Sequence, residues 1–185
     1  DLAALSPDAS GEVIVSGTAQ GEDDVLDLAL TASVPEGALA GRALRDAQLG
    51  FTGTSGENGL TGNVTGTAFL DGHRVALRSG VDSNAERLVL SNIAFSAPGT
   101  ELSGNLNRLA SGLIEGRIQL NAPNIETAAA LALVEAQGSA TANIRLTRGD
   151  GTQSAFINAN LDNIVFGDIS LRSGRRCRPP ASRST

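Results

Sequence analysis

The sequence predicts a mainly β protein: an elongated, curved sheet of alternating strands with one aliphatic face, accompanied by one or two short helices. Three observations lead to this class. Apolar and polar residues alternate with a period of two over most of the chain, Gly-containing turn pairs separate the alternating runs, and aromatic residues make up only 3%. Because Leu, Ile, Val and Ala must then fill the core, we expect a thin interior.

The alternating runs come first in chain order. Between residues 25 and 34, Leu26, Leu28 and Leu30 lie on one side and Asp27 and Thr31 on the other. Comparable runs begin at Val64, Val75, Ile114, Ala140 and Ala155. Each run predicts a strand with one apolar face.

Turns and bulges are predicted between and within these runs. Asp71-Gly72, Pro98-Gly99 and Asp150-Gly151 are turn pairs, and the last gives the strongest hairpin prediction. The alternation changes phase twice, where Leu88 and Leu90 give way to Ile93 and Phe95, and again between residues 164 and 171. A phase change within a strand indicates a β-bulge, which bends a sheet.

A short helix is predicted from Asn124 to Gly138, with Asn124 as the cap, Glu126 in the first turn and Gly138 at the end. The opening residues DLAALSP are similar to a shortened form of it. Residues 1–173 are expected to form one β-rich module. Residues 174–185, rich in Arg, Pro and Ser, are expected to be a disordered or non-native tail.

Composition excludes several classes of function. The net charge is −6 and all 14 cationic residues are Arg, with no aromatic residues interleaved, which argues against a nucleic-acid partner. Cys177 is the only cysteine, so neither an intrachain disulfide nor a cysteine metal site can form. The sequence contains no apolar run of 18 residues and no Met, and we interpret it as an internal piece of a longer protein.

No group of residues predicts catalysis, a cofactor or a metal site. His73, the only histidine, follows a predicted turn and is interpreted as an exposed turn residue. The acidic stretch Gly21–Asp27 has no calcium-loop spacing and is interpreted as a solvated turn. The stretch Gly50–Gly62, with Gly at every third position, is interpreted as a flexible loop that opens a strand.

A broad sheet with one aliphatic face must be covered, and three solutions are open: a sandwich, a closed barrel, or a trough that keeps its apolar floor for a ligand. Small residues on the apolar side leave room along such a floor. They are Gly66, Ala68, Gly116, Ala140, Ala142, Ala155 and Ala159.

Three stretches taken in order carry a family resemblance. LVLSNIAFSAPGTELSGNL, then LIEGRIQLNAPNIETAAAL, then GSATANIRLTRGDGTQSAFINANLDNI resemble the translocation and assembly module subunit TamB family of Gram-negative bacteria. The resemblance extends to about residue 172, and the tail from Gly174 departs from it. It implies the periplasmic part of a larger protein anchored in the inner membrane, with a trough-shaped sheet and an Omp85-type outer-membrane barrel as partner.

The sequence and the resemblance together predict a non-enzymatic module that shields phospholipid acyl chains or assists assembly of outer-membrane proteins and autotransporters. Five aliphatic residues are predicted to face the trough: Ile118, Leu120, Ile144, Leu146 and Ile157. Two alternatives stay open: a chaperone that pairs its sheet edge with a client strand, and a structural or adhesin-like β-domain with a dry core.

Overall fold

The structure, a computed structural model, describes residues 9–22, 24–39, 42–126, 136–149, 151–166 and 169–171. These residues form twelve strands of one antiparallel sheet. The strands are β1 Ala9–Gly11, β2 Ile14–Glu22, β3 Val25–Leu39, β4 Arg42–Gly56, β5 Gly59–Leu70, β6 His73–Ser83, β7 Arg87–Ala97, β8 Thr100–Leu109, β9 Ile114–Ala122, β10 Ala136–Gly149, β11 Thr152–Phe166 and β12 Ile169–Leu171.

The strands follow one another across the sheet in chain order, except at the first edge. There β1 and β2 both pair with β3, so they are two parts of one edge strand interrupted at Glu12 and Val13. Among the described strands, extensive contacts join only neighbours within the sheet. The described chain is therefore a single layer, neither sandwich nor closed barrel, which confirms the predicted mainly β, open curved sheet.

The predicted turns are present. Asp71 and Gly72 connect β5 to β6 with φ values of 48° and 80°, the left-handed conformation that Gly and Asp tolerate in tight hairpins. Gly99, with φ 69°, completes the turn between β7 and β8. Gly149 and Thr152 pair across the β10–β11 hairpin, while Asp150 lies outside the described residues.

The phase change predicted after Leu90 is a β-bulge. In β7, Asn92 has φ 50° and the pairing with β8 shifts between Leu90 and Ile93. The Asn105 side-chain oxygen accepts a hydrogen bond from the Asn92 N–H at 2.8 Å. A second bulge lies in β11, where Asn163 has φ 50° at the register shift opposite Gly138. It comes just before the phase change predicted for residues 164–171, of which 167 and 168 lie outside the described residues. Each bulge adds one residue to its strand and thereby bends the sheet.

The prediction of a flexible loop at Gly50–Gly62 was wrong. These residues belong to β4 and β5, joined by a turn at Glu57 and Asn58. Gly53 and Gly62 lie directly opposite each other, and a Cβ on either would lie within 2.9 Å of Phe51 Cζ. The glycines make room for the Phe51 ring, as glycine often does where groups approach a strand closely.

The predicted helix is only partly within the described residues. The Asn124 side chain accepts a hydrogen bond from the Glu126 N–H at 2.9 Å, as an N-cap residue does, but residues 127–135 lie outside the described part. The predicted end at Gly138 was wrong, because Ala136 and Gln137 already pair with β11. Residues 1–8 and the predicted tail at 174–185 also lie outside it.

A candidate apolar trough

The sheet register arranges apolar side chains in rows that cross the strands. Residues directly opposite each other in antiparallel strands project to the same face. One row contributes a residue from every strand from β2 to β11: Val15, Ala32, Leu49, Gly66, Leu77, Phe95, Leu102, Leu120, Ala142 and Ala159. We call the face that carries this row the inner face.

The five residues predicted from the sequence all lie on the inner face. Ile118 is opposite Ile144, which is opposite Ile157, so these three form part of the neighbouring row. Leu120 belongs to the first row, and Leu146 lies opposite Gly116 and Ala155. The structure therefore brings them together on three adjoining strands.

The two faces differ in exposure although the sheet is a single layer. Along β5, inner-face Gly62, Val64, Gly66 and Ala68 are half-buried, while Thr61, Asn63, Thr65 and Thr67 on the outer face are exposed. In a flat single sheet both faces would be equally open to water. Here larger inner side chains of the neighbouring strands shield the small residues of β5: a Cβ on Gly66 would lie 3.5 Å from Leu49 Cδ1 and 3.6 Å from Leu77 Cβ.

The best-formed part of the trough lies on β3–β7. A hollow of about 350 Å³ is lined there almost entirely by apolar groups, among them Val34, Leu49, Ala68, Leu77 and Phe95. The five floor residues predicted from the alternation lie on β9–β11, and this part of the trough was not predicted. A third bulge interrupts the alternation in β4, because Asp46 has φ 48° at a register shift. Leu44 and Leu49 therefore lie on the same face although they are an odd number of residues apart, and the period-two pattern does not reveal this.

The trough is open along most of its length. Large apolar side chains of the inner face remain exposed, including Val15 (70%), Leu49 (51%) and Ile157 (66%). Removing such surface from water is worth about 25 cal/mol per Å². In the described part of the chain nothing covers these side chains. A ligand that covers them would therefore gain the free energy of removing their apolar surface from water.

Strand ends are tied together along one rim of the trough. Arg42 and Asp71 form an ion pair at 2.7 Å, and Asp71 also accepts a hydrogen bond from the Ala43 N–H. Further along, the Thr100 hydroxyl donates to the Asn124 carbonyl at 3.1 Å. We call these strand ends the tied rim.

The few buried apolar side chains concentrate near the tied rim. In the described chain they are Val34, Leu70, Ile93, Ala122, Ala136, Ala140 and Ile164, and three of these seven are Ala. Leu70, Ala122, Ala136 and Ile164 lie at or near strand ends on this rim. A core this small cannot cover the remaining inner face, which leaves the middle of the trough accessible.

The polar candidates of the sequence do not converge on a site. His73 is exposed at the start of β6, and Glu22, Asp24 and Asp27 are exposed around the β2–β3 turn. Among the described residues there is no group of three or more His, Cys, Asp or Glu that could hold a metal ion. In the same residues, no helix is long and apolar enough to cross a membrane.

Comparison with known proteins gives no match to a family model, to a curated protein or to a solved structure.

Proposed function

We propose that the chain is a non-enzymatic module of a TamB-like translocation and assembly protein, and that its trough shields lipid acyl chains from water. The continuous apolar inner face of a single-layer sheet carries this proposal. The ten strands from β2 to β11, spaced about 4.8 Å apart, provide a floor roughly 45 Å long. This exceeds the length of one acyl chain, which spans about half of the ~30 Å bilayer core.

The chemistry of the floor suits acyl chains. The hollow on β3–β7 offers almost no polar group to a ligand, so it favours molecules that require no hydrogen bonds. Each buried CH₂ contributes about 0.8 kcal/mol, and a chain of many such groups gains affinity without a specific contact. Small residues such as Gly66 and Ala142 leave space between the larger side chains.

The proposed setting rests on the family resemblance. The resemblance implies that the module belongs to the periplasmic part of a protein that is anchored in the inner membrane and has an Omp85-type outer-membrane barrel as its partner. The outer face fits an aqueous surrounding, because Thr, Asn and Ser dominate it on β5 and β8.

Phospholipid that copurifies with the chain tests the proposal. The full chain is purified from bacterial periplasm without detergent, extracted with organic solvent and analysed by mass spectrometry. We expect stoichiometric phospholipid in the wild type and its loss in Ile118→Asp. Thr141→Asp is the matched control, because it adds the same charge on the exposed outer face of the neighbouring strand, opposite the uncharged Asn121 and Asn160.

Either of two results would contradict the proposal: a folded Ile118→Asp protein with normal lipid content, or a folded wild-type monomer without lipid. Ile157→Asp serves as a second variant if Ile118→Asp does not fold. Ile157 is 66% exposed, so a charge there disturbs packing little.

Strand pairing is the second candidate function, and the first edge of the sheet favours it. All nine residues of β2 are exposed, and the strand contains no Pro, Lys or Arg that would block pairing with another strand. Its outward N–H and C=O groups could pair with a client strand of an outer-membrane protein. A dry structural domain, the third possibility, would hold neither lipid nor client.

A further inference from the structure

Two arginines lie directly opposite each other on the outer face. Arg117 of β9 pairs with Arg145 of β10, and both side chains are exposed. Cβ atoms of such a pair are about 5 Å apart, and like charges placed this way destabilise a sheet. Among the described residues neither arginine has a carboxylate within 4.0 Å. Glu115, two residues from Arg117 in β9, is ion-paired with Arg148 at 2.9 Å instead.

The surroundings of this arginine pair combine amide groups with one aromatic ring. The row continues to Phe156 on β11, which is 64% exposed although it lies on the polar face. The adjoining outer-face row consists of Gln119, Asn143 and Asn158. A hollow of about 650 Å³ is lined by these six residues and by the residues between them along the three strands.

These features suit one kind of ligand. Guanidinium groups bind phosphate oxygens through paired hydrogen bonds, and a phosphate monoester carries a charge of about −1.5 to −2, which balances two arginines. A carboxylate would leave one positive charge uncompensated. The amide side chains supply neutral donors, and Phe156 provides an apolar surface next to the charges.

We propose that Arg117 and Arg145 form a binding site for a phosphate group carried by a molecule with an apolar or planar portion that lies against Phe156. A lipid head group and a soluble phosphorylated molecule share this chemistry. The site is on the opposite face from the trough, and it does not depend on the trough holding acyl chains. The net charge of −6 works against general attraction of anions, so binding must come from the local arrangement.

The test titrates the full chain at low salt with inorganic phosphate, phenyl phosphate and monomeric short-chain phosphatidic acid, all of which carry a doubly ionisable phosphate, and binding is measured by calorimetry. We expect saturable binding that Arg117→Gln and Arg145→Gln each weaken by about tenfold or more. In the absence of ligand, Arg145→Gln should raise the Tm, since it removes the opposed charge. Arg78→Gln removes one outer-face charge from a position opposite Thr65 and Ala94, and it should change neither quantity.

Equal loss of affinity in Arg78→Gln and Arg145→Gln would overturn the proposal, because binding would then reflect net charge alone. Saturable binding that is absent for all three ligands would also overturn it. If Arg145→Gln does not fold, Arg145→Lys is used, because it keeps the positive charge but lacks the paired N–H groups of the guanidinium. A folded Arg145→Lys protein with wild-type affinity would contradict the site. If the lipid binds more tightly than phenyl phosphate, the ligand is a lipid head group; if phenyl phosphate binds at least as tightly, it is a soluble phosphorylated molecule. Either result supports the site when Phe156→Ser weakens the binding, and unchanged binding in Phe156→Ser would contradict the assigned role of Phe156.

Discussion

Ile118 of β9 lies directly opposite Ile144 of β10, and one step along both strands brings Arg117 opposite Arg145. The first pair is on the inner face and half-buried, and the second is on the outer face and exposed. Because successive residues of a strand point to opposite faces, one stretch of sheet can offer an apolar floor and a charged exterior. The two proposals made above depend on these two faces separately.

The bulge at Asn92 is predicted to need a residue that tolerates positive φ. Asn92→Val should reduce the free energy of unfolding by about 1–3 kcal/mol, because a β-branched side chain is strained in the left-handed region. Asn92→Gly should be close to neutral, since Gly has no such strain. Urea unfolding of both variants checks this, and equal destabilisation by Val and Gly would show that the backbone conformation at Asn92 is not the cause.

Two glycines of β5 are predicted to respond differently to the same substitution. A Cβ at Gly62 would clash with the Thr52 backbone oxygen and would lie 2.7 Å from Phe51 Cζ and 2.8 Å from Gly53 Cα, whereas at Gly66 it would meet nothing closer than 3.5 Å. Gly62→Ala should therefore cost about 1–3 kcal/mol through overpacking. Gly66→Ala should be neutral, or stabilising by up to about 1 kcal/mol, because it restricts the unfolded chain.

Thermal and urea unfolding of the two alanine variants measures this difference. The account of the glycine pair beneath Phe51 would be wrong if Gly62→Ala were as stable as Gly66→Ala.

Proline in the edge strand β2 is predicted to distinguish binding by the trough from binding by strand pairing at the edge. Thr18 and Ala19 are neighbours in β2, so the N–H of one points towards β3 and that of the other away from it. Proline at the outward position removes no sheet hydrogen bond. We expect that one of Thr18→Pro and Ala19→Pro is nearly as stable as the wild type and keeps its bound lipid. Loss of lipid from this folded variant would favour the edge, rather than the floor, as the binding element.

The alternation of apolar and polar residues within each strand was sufficient to predict part of the fold. The phase change after Leu90 predicted the bulge at Asn92 because it separates two clear apolar runs. The bulge at Asn163 lies just before the phase change predicted for residues 164–171, where apolar residues occupy both phases. The bulge at Asp46 was not predicted, since its neighbours Arg45 and Gln48 are polar and leave the phase undefined. The Gly50–Gly62 stretch was misinterpreted because its regularity depends on Phe51 lying over a glycine pair that forms only across two strands.

The sequence also placed the five predicted floor residues on one face, because period-two alternation determines which residues share a face. It could not locate the hollow beside Leu49 and Phe95. Leu49 on β4 and Phe95 on β7 are three strands apart, and only the register across β4–β7 brings them into one row. Nor could alternation distinguish an open sheet from a sandwich or barrel, since all three share the same pattern within a strand.

Fluorescence quenching by lipids with brominated acyl chains tests the central claim most directly. The chain contains no Trp and no Tyr, so a single introduced Trp reports on one position only. Leu49→Trp places it on the inner face, and Thr52→Trp places it on the exposed outer face of the same strand, away from the hollow. Strong quenching is expected at position 49 and little at position 52, whereas equal quenching, or none at position 49 in a folded protein that has bound the lipid, would contradict the trough.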